Sequence, residues 1–124
     1  MSQTLTVRRL GWAGYEITSQ GGTRVVVDPY LRGSEGLISG LPESPITVEE
    51  LASAAVVAVT HAGYDHRAQA IEIALAGEAI LVSGEALSQV AVESGVPAER
   101  SGEMLSGCTF QHADVTVRAL PARH

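Results

Sequence analysis

The stretch V-V-A-V-T-H-A-G-Y-D-H, residues 56–66, decides how the rest of the chain is read. Val56, Val57, Ala58 and Val59 form a short apolar run of the kind that makes a strand buried on both faces. Thr60 closes the run, and the chain then delivers His61, Asp65 and His66 within six residues. Two imidazoles and a carboxylate in one turn at a strand's end are a candidate divalent-metal half-site, because neutral imidazole and carboxylate together suit zinc, iron and manganese. The alternative makes His61 and His66 surface loop residues and Asp65 a cap for the following helix. A single short motif does not choose between the two.

Upstream of this turn the pattern is that of strands. Thr4 to Arg8 alternate with Leu5 and Val7 on one face, Gly11-Trp12-Ala13-Gly14 breaks the run, and Tyr15 to Thr18 reads as a second strand. Gln20-Gly21-Gly22-Thr23 is a hairpin signal, since glycine tolerates the positive φ angles such turns require. Arg24 to Val27 is a third strand, ending in Asp28-Pro29-Tyr30, so the chain opens as an antiparallel meander. Leu31 to Pro45 is an irregular connection, open to reading as a substrate-edge loop or as a tolerated insertion. Thr47 followed by Glu50 matches a capping box, which predicts a short helix over Val48 to Ser53.

Downstream, Ala68, Ile71, Ala74 and Leu75 share a helical face that Gly77 ends. Ala79 to Val82 is another buried-type strand, and Leu87, Val90, Ala91 and Ser94 mark a helix stopped by Gly95 and Pro97. That order predicts βαβ units with parallel pairing. Gly102 to Leu105, Cys108 to His112 and Val115 to Leu120 are expected as short antiparallel pieces. Cys108 is expected as a small buried hydrophobe and His112 as an exposed strand end. Trp12 and Tyr15 read as packing aromatics rather than substrate platforms. Tyr64 is open to shaping the turn or to packing beneath it.

Composition bounds the rest. At 124 residues one domain is expected, and 45% apolar with 18% charged residues place the chain among globular proteins. Its formal charge is -6 and all eight basic residues are arginine, with no cationic run. Nucleic acid is therefore excluded as a ligand of the bulk surface, while a small anionic or ester substrate is not. The lone cysteine allows no internal disulfide, and no run approaches the ~18 apolar residues that span a membrane. A soluble cytoplasmic protein with no membrane partner is expected.

Taken in order, D-P-Y at Asp28, T-H-A-G-Y-D-H at Thr60 to His66, the α/β units and the closing P-A-R-H resemble the metallo-β-lactamase superfamily. The resemblance is greatest to its ascorbate-6-phosphate-lactonase-like branch, whose W-x-G-H-A-G/A-F-x-I opening is matched in shortened form by Trp12-Ala13-Gly14-Tyr15-Glu16-Ile17. It implies an α/β (mixed α+β) fold, residues 1–124 being the first half of an αββα sandwich. It also implies metal ligands. In the H-x-H-x-D-H signature the first histidine is His61, the aspartate Asp65 and the last histidine His66, while Gly63 stands where the second would be. A further first-site ligand falls at His124, and Asp28 matches the aspartate that supports the metal loop from behind. Asp65 is the candidate catalytic residue as well as a ligand.

The resemblance implies hydrolysis of a lactone, ester or phosphodiester by water that a divalent metal, zinc first and manganese or iron as alternatives, makes acidic. Glycine has no ligand atom, so the first site keeps only His61 and His124, fewer than the three protein ligands usual for catalytic zinc. The remaining ligands of the family lie in a second half. Two expectations follow: a hydrolase whose site a partner completes, or a non-catalytic module of the same fold serving assembly or binding. Half a sandwich leaves a sheet face bare, so a second copy of the chain, forming a homo-oligomer, or a complementary half-domain is expected to cover it.

Overall fold

Strand alternation sets the layers. The computed structural model describes residues 4–32 and 43–122. Thr6–Gly11 (β1), Gly14–Thr18 (β2) and Arg24–Val27 (β3) form the expected antiparallel meander, with Val7 opposite Ile17 and Ile17 opposite Val25. From β3 the pairing turns parallel: Val25 lies beside Val56 of β4 (Val56–Ala58), and Val56 beside Ile80 of β5 (Ile80–Ser83). Parallel neighbours need crossovers. Helices Val48–Leu51 (α1), Tyr64–Arg67 (α2), Ala70–Ala76 (α3) and Glu85–Glu93 (α4) fall in these connections. The Thr47 hydroxyl caps α1 by accepting from Glu50 N at 3.3 Å.

One strand differs from expectation in its pairing. Ser101–Glu103 (β6) joins β5 in parallel and ends a six-stranded sheet ordered β1 to β6, instead of belonging to the antiparallel pieces after it. The physical reason is the return of α4: a 3-10 turn at Ala98–Arg100 brings the chain back, and Arg100 Nη1 donates to the carbonyls of Ala74, Gly77 and Ala79, each at 3.2 Å. Thr109–His112 (β7) and Val115–Arg118 (β8) do pair antiparallel, as a separate two-stranded sheet.

Side chains on the helix side of the large sheet form the main core. Leu10, Val26, Val57 and Leu81 meet Leu51, Ile73, Leu87 and Ala91 there. Leu75 and Val90, expected on buried helix faces, are instead exposed, because Ile73 and Ala74 turn α3 inward and Leu87 and Ala91 turn α4 inward. Glu16 is buried at one margin of this layer and bonded by Arg24, whose Nη2 lies 2.6 Å from Oε2; Arg8 reaches its other oxygen at 3.2 Å. On the opposite face Val25, Val56 and Val82 pack with Phe110, Val115 and Val117 of the hairpin.

That second face is covered unevenly. The hairpin shields β3 to β5, while over β1 and β2 Leu5 is 64%, Val7 56% and Tyr15 41% exposed. At its tip Asp114 fastens the hairpin to the β2–β3 turn, accepting from Ser19 Oγ at 2.9 Å, Thr23 Oγ1 at 2.6 Å and Gly21 N at 3.1 Å. Cys108, expected buried on a strand, is exposed just before β7, where its N–H and carbonyl close a turn with Leu105 and Ala119. His112, at the end of β7, is half-buried against Phe110. Most of the 31–45 connection lies outside the described residues. No helix among the described residues is long and apolar enough to cross a membrane.

Candidate metal centre

The turn after β4 is held from below by Asp28. This residue follows β3 in the left-handed region at φ 49°, where aspartate is tolerated better than most residues. Its N–H continues the parallel pairing by donating to Ala58 O at 3.0 Å, and Gly14 makes room, since a Cβ there would lie 2.7 Å from Asp28 O. The Asp28 carboxylate, 4% exposed, accepts from Thr60 N at 2.8 Å, Thr60 Oγ1 at 2.7 Å and His66 Nδ1 at 2.6 Å. A carboxylate can only accept, so His66 Nδ1 is the donor, and in the neutral imidazole Nε2 carries the lone pair.

His66 Nε2 lies 3.7 Å from Asp65 Oδ2. The His61 and His66 rings approach to 4.1 Å between centroids with planes 47° apart. Thus the structure brings His61, Asp65 and His66 together at one end of β4, beside Asp28. His124 lies outside the described residues. Thr60, read from sequence only as the end of a strand, proves to be the link between Asp28 and the turn.

Asp65 has a partner that the sequence reading missed. Trp12 Nε1 donates to Asp65 Oδ2 at 3.1 Å, across 53 positions of sequence. This bond holds the Asp65 carboxyl below the usual carboxylate range; partial burial opposes it, and nearby His66 and His61 add to the lowering. No sequence pattern flags an indole for such a contact, because the β1–β2 turn and the turn after β4 meet only in the fold.

Gly63 shapes the position of His61. The Gly63 N–H donates to His61 Nδ1 at 3.1 Å, and a Cβ at 63 would lie 2.7 Å from His61 Cε1 and 3.2 Å from Asp65 Oδ1. The imidazole therefore rests where a side chain at 63 would begin. Imidazole, imidazole and carboxylate suit a divalent cation in donor type, and Asp28 behind His66 matches the carboxylate support that metal-binding histidines receive. Still, no group of three or more His, Cys, Asp or Glu side chains among the described residues is arranged to hold a metal ion.

The chain is 30% identical over 114 residues to a UPF0173 metal-dependent hydrolase of Thermoplasma volcanium, covering 91% of this chain and 46% of that protein. It is 28% identical over 115 residues to a UPF0173 metal-dependent hydrolase of Rubrobacter xylanophilus, covering 93% and 44%. The chain is similar to metal-dependent hydrolases. Igni18, a metallo hydrolase of Ignicoccus hospitalis, superimposes with a TM-score of 0.74 at 21% identity over 99% of this chain and 50% of Igni18. With the mixed six-stranded sheet, the likeness to Igni18 fits a fold that is half of the metallo-β-lactamase type. No family model matches. The chain spans about half the length of the curated relatives it matches.

Proposed function

We propose that this chain is the metal-gripping half of a metal-dependent hydrolase of the lactonase-like kind, acting on a lactone, ester or phosphodiester of a small anionic substrate. His61, Asp65 and His66 are its ligands, His124 is the further ligand that the family resemblance implies, and Asp28 fixes the orientation of His66. A divalent ion, zinc in the first place and manganese or iron as alternatives, would supply hydroxide near neutral pH by lowering the pKa of water to about 7. The observation that carries the reading is the 2.6 Å bond from His66 Nδ1 to the buried Asp28 carboxylate, which keeps the lone pair of Nε2 on the side of Asp65. Asp65 also serves as the candidate catalytic carboxylate, oriented by the bond from Trp12.

Ligands absent from this half would come from a second copy or a complementary half-domain. The bare apolar face of β1 and β2, next to the part the hairpin already covers, supports such a partner. Metal analysis after loading with zinc, manganese or iron and dialysis tests the proposal. Near-stoichiometric retention that is lost in His66→Ala and Asp65→Ala is expected.

A non-catalytic assembly module is the second reading, favoured by Gly63, whose place offers no donor atom and is filled by the His61 ring. Failure of the unaltered protein to retain any of the three metals would leave this reading alone.

A further inference from the structure

Among the described residues only three other than glycine have a left-handed backbone: Trp12 at φ 51°, Asp28 at φ 49° and Ala113 at φ 52°. Two of these three hold the metal turn. Asp28 bonds His66, and Trp12 bonds Asp65. A bulky residue seldom adopts this conformation, and such outliers gather where a side chain must be aimed. Burial does not explain the Trp12 placement, because the residue is 48% exposed.

What fixes Trp12 is a set of directed contacts. Arg9 Nη2 donates to Trp12 O at 3.1 Å, tying the turn from behind. The indole leans on buried Tyr30 at 6.0 Å between ring centroids, and Tyr30 meets Tyr64 edge-on at 5.9 Å and 87°. Tyr64 immediately precedes Asp65, so this aromatic row and the indole N–H reach the same short helix. We propose that Trp12 is a positioning residue of the metal half-site, fixing the Asp65 carboxylate from above as Asp28 fixes His66 from below. This role rests on the metal-binding reading of the turn.

Trp12 is the sole tryptophan, so its indole N–H gives one resolved signal. In the metal-free protein, Asp65→Ala is expected to shift that resonance upfield and speed its exchange with solvent, while Asp65→Asn, which keeps an acceptor, leaves it nearer its original place. An indole signal indifferent to Asp65→Ala overturns the proposal whether or not the protein binds metal. With zinc alone as the probe, Trp12→Phe keeps the ring, removes the donor and is expected to weaken binding about tenfold, at the low end of the ~10–100-fold seen for outer-shell partners. Equal zinc affinity in Trp12→Phe and the unaltered protein overturns the positioning role and leaves the metal reading standing. Absence of zinc binding by the unaltered protein fells the metal reading and this role with it.

Discussion

Replacing Asp28 by asparagine separates the chemistry of the turn after β4 from its backbone. Asparagine tolerates the left-handed conformation at this position, so the strain stays the same. The amide oxygen can keep the bond from Thr60 N, but its NH2 then faces Thr60 Oγ1 and His66 Nδ1, where the carboxylate accepted at 2.7 and 2.6 Å. Thr60 can turn its hydroxyl to accept. His66 must present a lone pair on Nδ1, which moves its proton to Nε2 and replaces the lone pair that faces Asp65 with an N–H.

Two consequences have magnitudes. Exchanging two charge-assisted bonds for neutral ones in a buried site destabilises the fold by about 1–3 kcal/mol, read as a lowered urea midpoint at unchanged slope. On the metal-binding reading, zinc affinity is expected to fall about 10–100-fold, the usual effect of losing the group behind a ligating histidine. Long-range 15N–1H correlation spectra of the imidazole report the tautomer directly. A His66 that keeps its proton on Nδ1 in Asp28→Asn, with zinc affinity within about twofold of the unaltered protein, would refute the account of how this turn is organised.

Gly63→His forces the His61 ring from its present seat and adds an imidazole; zinc titration is expected to show tighter binding, and no gain would count against a decayed first site. The Asp114 carboxyl lies below its ordinary value through its bonds from Thr23, Ser19 and Gly21, so its contribution is complete above about 3.8 and fades as pH falls through its lowered folded value. Hydrogen exchange in β7 and β8 should accelerate in that acid range, and Asp114→Ala should show the fast exchange already at neutral pH. Val57→Ala empties part of the fully buried helix-side core and is expected to cost about 2–3 kcal/mol in urea denaturation, from two lost methyl-sized groups plus a cavity. Val7→Glu places a charge on the bare face; it should change the stability of the isolated chain by no more than about 0.5 kcal/mol yet reduce assembly measured by light scattering.

The strands around the 60–66 turn were legible because their patterns are local. The valines of 56–59 announce a two-sided strand, and Gly21-Gly22 announces a hairpin. The joining of β6 to β5 was not legible, since Gly102 to Leu105 looks alike in either direction and the crossover geometry of α4 decides it. Helix faces were half legible: Ala74 and Ala91 are buried as the spacing requires, but Leu75 and Val90 lie outside because the helices are short and each packs through a narrow stripe. His61, Asp65 and His66 lie within six residues and could be read together. Trp12 could not, because its partner is 53 residues away and an exposed indole has no spacing that gives away a hydrogen bond.

The Asp114 fastening bears on how the polypeptide is made. Its partners Ser19, Gly21 and Thr23 leave the ribosome more than 90 residues before it does. As each emerges within that interval, the valines of β3, β4 and β5 that the hairpin will cover stay uncovered, an invitation to chaperones and to neighbouring nascent chains. Closure of the two sheets is thus a late, long-range event of vectorial synthesis. Slowing translation ahead of residue 114 should lengthen the window in which the protein aggregates.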